Sequence, residues 1–335
     1  MTTILSNNLF IALQNAGFPK PYILKMLPDW WTEDLMNDPT VRIELDLSLS
    51  RMFGLNLRDL LNETPTVTFD VEGSMKYKRS RRLDGNDLTG ATALLQSIAK
   101  MVNASMPHPY CPLPQDPLQV RQEILSAGAK FISLMSVVDY LWSKGIPTIH
   151  VSELPEGLKK MDGLALRIGD RPIVILSKQS PFRAWNLFIA AHELAHCSLG
   201  HIEIDEVLVD FSIGQDCYLL ADDDPEELAA DQFAIALLNG EDAIQYVSER
   251  EVNSNELVDA ALRRQRTHHV DAGHVILNYG YRNNAWKVSQ AALKKIDHSD
   301  ARVDINEYLF SRLKLKMLPA SSAEFLFKVT GSLNR

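Results

Sequence analysis

Between Ser180 and Gly200 the apolar positions recur every three to four residues, and no proline or glycine interrupts them after Pro181. Trp185, Phe188, Ile189, Ala195 and Leu199 make one stripe, which predicts an amphipathic helix. Ser180-Pro181 reads as its N-cap and first turn. A second stripe, Ala230, Phe233, Ala234, Leu237 and Leu238, is framed by Asp224-Pro225 and Asn239-Gly240 and predicts another helix. Between Gly163 and Leu176 the pattern changes. An alternating run to Ile168, a Gly169-Asp170 turn and the apolar run Pro172–Leu176 predict a β-hairpin, whose exposed edge would accept an added strand. Upstream, Pro117 to Gly145 reads as amphipathic helix and Ile146 to Val151 as a strand. The first 105 residues read as short helices at Leu9–Ala16, Pro21–Leu27, Thr32–Met36, Arg42–Phe53 and Leu57–Leu61, followed by a longer one from Asp87 to Met101.

The first stripe carries chemistry. His192-Glu193-Leu194-Ala195-His196 is an HExxH pattern, and histidines four apart on a helix can reach a single metal ion. Glu193 lies beside that face, where a carboxylate can take a proton from water without being a ligand. The competing reading is a pair of hydrogen-bonded core histidines.

A catalytic zinc site takes three protein ligands. The next histidine, His201, stands nine residues after His192, and Leu199 occupies the position where metzincins have glycine, so that pattern does not apply. The second predicted helix offers Glu227 as the third ligand and Asp231, one turn on, as an acceptor for a ligating imidazole. With Asp224 as N-cap, Glu227 also stands where it could close a capping box. Glu226 is the alternative if the register slips by one residue.

Together, Arg183-Ala184-Trp185-Asn186-Leu187-Phe188-Ile189-Ala190-Ala191-His192-Glu193-Leu194-Ala195-His196 and Glu227-Leu228-Ala229-Ala230-Asp231-Gln232-Phe233-Ala234 resemble the paired motifs of the ImmA/IrrE metallopeptidases. The departures are Ala195, where glycine is usual, and the tryptophan before Phe188. The resemblance spans about residues 117–285. It implies zinc on His192, His196 and Glu227, Glu193 as catalytic base, and a helix-turn-helix repressor as the protein cut.

Cys111 lies in the proline-punctuated strip Pro107-His108-Pro109-Tyr110-Cys111-Pro112-Leu113-Pro114, which cannot join a helix. A thiolate there could take the fourth zinc position. The strip is similar to the cysteine switch of matrix metalloprotease propeptides. The whole arrangement also resembles the CapP-type peptidases of bacterial CBASS anti-phage operons, for which a cysteine switch and single-stranded DNA as trigger are expected. Cys197 and Cys217 read as structural.

Charge modifies this picture only locally. The chain of 335 residues carries a net charge of −9, which does not suggest a constitutive nucleic-acid binder. Basic runs nevertheless occur at Lys76, Lys78, Arg79, Arg81 and Arg82, at Arg263, Arg264, Arg266, His268 and His269, and at Arg312, Lys314 and Lys316. The first is a candidate DNA contact, and each run reads equally as a solvated face. His268, His269 or His274 could instead stabilise an oxyanion. No run approaches the roughly 20 apolar residues of a membrane span, no secretory layout opens the chain, and three cysteines make no disulfide framework. The expected setting is cytoplasmic, with no membrane partner.

The expected fold is α+β. A helical region over 1–105, with a weak helix-turn-helix likeness near residues 53–61, precedes the strip at 106–116. A zincin-like peptidase domain of gluzincin type, with a small sheet and the HExxH helix, follows over 117–285, and a mainly α/β segment covers 286–335. The expected function is a zinc endopeptidase that cleaves a helix-turn-helix repressor. The rival is a regulator that binds DNA or the repressor around a structural zinc.

Overall fold

The computed structural model describes residues 2–62, 66–71, 75–78, 85–155, 161–203, 207–211, 224–240, 246–248 and 250–332. Helices α1 (Thr2–Asn15), α2 (Lys20–Met26), α3 (Pro39–Phe53) and α4 (Leu57–Leu60) open the chain, with a 3-10 turn at Glu33–Asn37 where a helix was expected. Asp38 caps α3 by accepting from Thr40 N, and Pro39 occupies the first turn. Gly54 ends it at φ 65°; a Cβ there would stand 2.7 Å from Ala93 O, so only glycine lets α3 meet the long helix α5 (Gly85–Ala104) this closely.

The amphipathic stretch from Pro117 to Gly145 is two helices, not one: α6 (Pro117–Ser126) and α7 (Leu134–Ser143). Gly128, at φ 102°, breaks the first. Ser133 and Ser136 then form a reciprocal capping box that starts the second.

Strands β1 (Met75–Lys78), β2 (Thr148–His150), β3 (Met161–Ile168), β4 (Arg171–Leu176) and β5 (Val207–Phe211) form one sheet in the order β1-β5-β3-β4-β2. The β3–β4 hairpin is antiparallel, with Ala165 opposite Val174, while β2 runs parallel to β4. β3 also pairs with β5, so it has no free edge, and the exposed edge expected of the hairpin is occupied. Leu164 to Leu166 and Ile173 to Leu176 are fully buried because helices cover both faces. α5 packs on one side of the hairpin, and α8 (Arg183–Leu199) also packs against both its strands.

The remaining helices are α9 (Pro225–Asn239), α10 (Ser254–His268), α11 (Ala272–Arg282), α12 (Trp286–Ile296), α13 (Ala301–Arg312) and α14 (Ala320–Thr330). Residues 286–332 thus hold no strand, which corrects the α/β expectation for this segment. Ala301, Ile305 and Leu309, each four residues after the last and each buried, make the helical stripe that decides it. Asn306 of α13 accepts from His150 N at 3.0 Å and donates to His150 O at 2.9 Å, replacing a neighbouring strand at the edge of β2. The main core runs without a break from Leu9 through the sheet and α8 to Val329, and Phe53 meets Phe325 edge-on with ring centroids 6.1 Å apart. A second core joins α10, α11 and α12 around Ala261, Ile276 and Leu293, tied to α8 by the stacked pair Trp185 and Trp286. No described helix is long and apolar enough to cross a membrane. The fold class is α+β and mostly helical.

Candidate metal centre

α8 begins at Arg183, later than Ser180-Pro181 suggested, because its cap comes from far along the chain. Arg183 N donates to Asp297 Oδ2 at 2.6 Å, while the Arg183 guanidinium reaches Asp297 Oδ1 at 3.2 Å and Asp304 Oδ2 at 2.5 Å. A carboxylate at that end also suits the helix dipole. Both faces of α8 are buried, one against the hairpin and the other against α9. α9 starts as expected, with Asp224 accepting from Glu226 N and Pro225 in the first turn.

Its far end is held by Arg121 of α6. Nη1 donates to Leu237 O and Leu238 O at 2.8 and 2.9 Å, and Nη2 donates to His268 O and His269 O at 2.7 and 3.1 Å. One cation therefore satisfies the terminal carbonyls of two helices, α9 and α10, at the negative ends of both dipoles.

Where α8 and α9 cross, His192, His196 and Glu227 converge. They are fully buried, and their ligand atoms all lie within 4.8 Å of one another; no other such group occurs among the described residues. His192 Nε2 lies 2.9 Å from His196 Nε2 and 3.4 Å from Glu227 Oε2, and His196 Nε2 lies 3.3 Å from Glu227 Oε1. Burial opposes ionisation of Glu227, but the two imidazoles outweigh it and hold the carboxyl well below the usual carboxylate range. Asp224 reaches back to Glu226 N, so Glu227 is left to face the histidines while Glu226 stays half-buried.

Behind the first histidine, Nδ1 stands 2.9 Å from Asp231 Oδ1. A neutral imidazole donates to a carboxylate there, which leaves a bare lone pair on Nε2. Two imidazole Nε2 atoms and a carboxylate thus face one another in a space closed to solvent. Once each Nε2 is bare, the same three atoms can be satisfied together by a single cation. The group can therefore hold a metal ion. Two nitrogens and one carboxylate oxygen suit zinc.

No family model, curated protein or solved structure matches the chain. The site's chemistry thus rests on its own atoms.

Glu193 is fully buried on the side of α8 that meets β3. A bulge in β3 at Asp162, whose carbonyl accepts from Ser177 N and Lys178 N, brings Gly163 directly over it. Cys197, one turn after Glu193, shares that side; burial and then the Glu193 charge push its thiol up. Tyr110 lies close enough that burial first, and then Cys197, raises its phenol.

Tyr110 belongs to the proline strip, which is pinned along its length. His108 O accepts from Arg171 Nη2 at 2.7 Å, Cys111 N donates to Lys144 O at 2.8 Å, and Pro114 O accepts from Ser198 Oγ at the end of α8. Cys111 itself is exposed and is not a member of the donor group. His268 and His269 are also exposed, at the end of α10, where His269 Nδ1 meets Lys130 O at 2.8 Å. His274 is fully buried on α11. Lys76 and Lys78 lie on β1, while Arg79, Arg81, Arg82 and Cys217 fall outside the described residues.

Two residues at the site escaped the sequence reading. His201 meets His196, and Gly163 meets Glu193. Gly200, a helix-ending glycine just before His201, is the signal that the chain turns back there.

Proposed function

We propose that the chain is a zinc-dependent endopeptidase of zincin-like, gluzincin type. The observation that carries this reading is the buried convergence of His192, His196 and Glu227 beside a buried Glu193 on one helix. His192, His196 and Glu227 would hold the zinc, and Asp231 would keep the His192 ring turned toward it. Zinc bound there supplies a Lewis acid that polarises the scissile carbonyl and makes water a stronger acid. Glu193 takes a proton from the attacking water on one carboxylate oxygen and returns it to the leaving nitrogen. Gly163 lies against that carboxylate, which is fully buried, so its charge acts in a poorly screening medium.

The substrate proposed from the motif resemblance is a helix-turn-helix repressor, with single-stranded DNA as trigger in an anti-phage setting. Cys111 would close the site by moving from its exposed position beside the end of α7 to the fourth zinc position. The open arrangement is then the one with Cys111 N bonded to Lys144 O.

A cleavage assay tests these steps together. Wild type, Glu193→Gln and Cys111→Ser are incubated with zinc and the repressor encoded beside the chain, with and without single-stranded DNA. DNA-stimulated cleavage that disappears in Glu193→Gln and becomes DNA-independent in Cys111→Ser supports the switched peptidase. Cleavage indifferent to DNA and to Cys111 keeps the enzyme and removes the switch. Complete burial of all three donors is also compatible with a second reading, a repressor-binding or DNA-binding regulator built around a structural zinc. For that protein, binding without cleavage survives Glu193→Gln.

A further inference from the structure

The two histidines of the donor group are backed by different chemistry. His192 has a carboxylate behind it, whereas His196 Nδ1 lies 2.9 Å from His201 Nδ1. We propose that His201 is the positioning residue of the second ligand, accepting the Nδ1 proton of His196 and so fixing the tautomer that turns Nε2 toward the metal. This rests on the metal-site reading above.

Local backbone geometry puts His201 there. Gly200 leaves α8 in the left-handed conformation at φ 77°, and its N–H donates to His196 O. His201 N donates to the same carbonyl at 3.1 Å. The chain thus doubles back, and the two rings meet at an interplanar angle of 64° with centroids 5.1 Å apart.

Two imidazole nitrogens at hydrogen-bond distance need one proton between them. Metal binding through His196 Nε2 requires that nitrogen to be bare, so the neutral ring carries its proton on Nδ1. His201 Nδ1 must then be the acceptor, and its own proton sits on Nε2 of a half-buried ring. The consequence is an uneven charge around the site. Glu227 and Asp231 bring two negative charges, which balance a divalent cation, and a neutral His201 adds none.

The test is zinc affinity, measured on the full chain by competition with a chelating dye, in wild type and in His201→Leu, His201→Asn and His201→Gln. Asparagine places an acceptor oxygen where Nδ1 stands; leucine offers no acceptor, and glutamine carries its oxygen one bond further out. His201→Leu should weaken zinc binding about 10- to 100-fold, as losses behind a ligating histidine do. His201→Asn should stay near wild type, and His201→Gln should fall between them. Unchanged affinity in His201→Leu, with wild type binding one zinc, overturns the role of His201 and leaves the site standing. Equal loss in His201→Asn and His201→Leu also overturns it, because ring packing would then be the cause. A wild type that binds no zinc overturns both. Should His201→Leu fail to fold, the asparagine and glutamine variants make the same distinction, since equal affinity in those two overturns the proposal.

Discussion

Gly163 and Glu193 approach so closely that a single added methyl group would not fit between them: a Cβ on Gly163 would lie 2.7 Å from Glu193 Oε1 and would also press on Ile189. The contact joins β3 to the HExxH helix at the residue proposed to carry protons. Gly163→Ala should therefore displace the carboxylate without touching a donor atom. Cleavage should fall on the order of 100-fold, the usual effect of misplacing a catalytic group by about 1 Å. Zinc affinity should stay unchanged. Parallel measurement of kcat/KM and zinc binding checks the separation; a matched loss of both would mean that α8 had shifted as a whole.

Zinc bound at the proposed site should stabilise the fold, because it binds the folded chain and not the unfolded one. Dialysis against a chelator should lower the melting temperature, and zinc should restore it. At a free zinc concentration 100 times the dissociation constant the stabilisation is about 2.7 kcal/mol. Glu227→Ala should abolish the zinc-dependent increment, which differential scanning calorimetry reads directly.

Acid stability should depend on two buried histidines outside the donor group. Burial holds His150 down at about 4, and burial together with the nearby Arg121 charge does the same to His274. Unfolded histidine titrates near 6.5. The unfolded chain therefore binds these protons more tightly, and the stability each contributes above pH 6.5 is lost as the pH falls toward 4. By pH 5 the loss is about 2 kcal/mol per histidine. Asp271, pushed up to about 6 chiefly by burial, acts with the opposite sign: its contribution is present at low pH and lost as the pH rises through 6. Urea denaturation at pH 7 and pH 5 should show a smaller acid loss in His274→Asn than in wild type. An equal loss would remove His274 from the account.

Arg121 closes two helices with one guanidinium. Arg121→Met should cost on the order of 3 kcal/mol, because buried carbonyls lose a charged donor. Arg121→Lys should recover only part of this, since an ammonium cannot reproduce the planar fork. Denaturant midpoints for the three proteins decide it. The weakest zinc binding should accompany the least stable variant, because α9 carries Glu227.

What the sequence made legible was local. The stripe through Phe188 and Leu199 and the turn signals at Asp224-Pro225 and Asn239-Gly240 marked the two helices that cross at the donor group. The hairpin around Gly169 was equally plain. Glu227 stayed ambiguous until its surroundings were visible, because a capping glutamate and a ligand occupy the same position in a first turn. The single helix predicted from Pro117 to Gly145 failed on a local signal, Gly128 with the Ser133–Ser136 box, that an amphipathic average conceals. Asp297 at the start of α8, Arg121 at the ends of α9 and α10, and Asn306 along β2 act across more than 100 residues each. No periodicity reports contacts of that kind.

Phe53 rests on Phe325, and Tyr22 OH donates to Glu153 O at 3.3 Å. The first helices are thereby packed directly on the last, α2 and α3 against α14. A fragment trimmed to residues 117–285 would bare the apolar surfaces of the β3–β4 hairpin and β2 that α5 and α13 cover and should aggregate. Among the described residues, a signal arriving at the first helices meets packed neighbours, α3 against α5 and α14. From α5 the contacts run on through β3 and β4 to α8, so a trigger acting on the first helices would be felt at the donor group through side-chain packing.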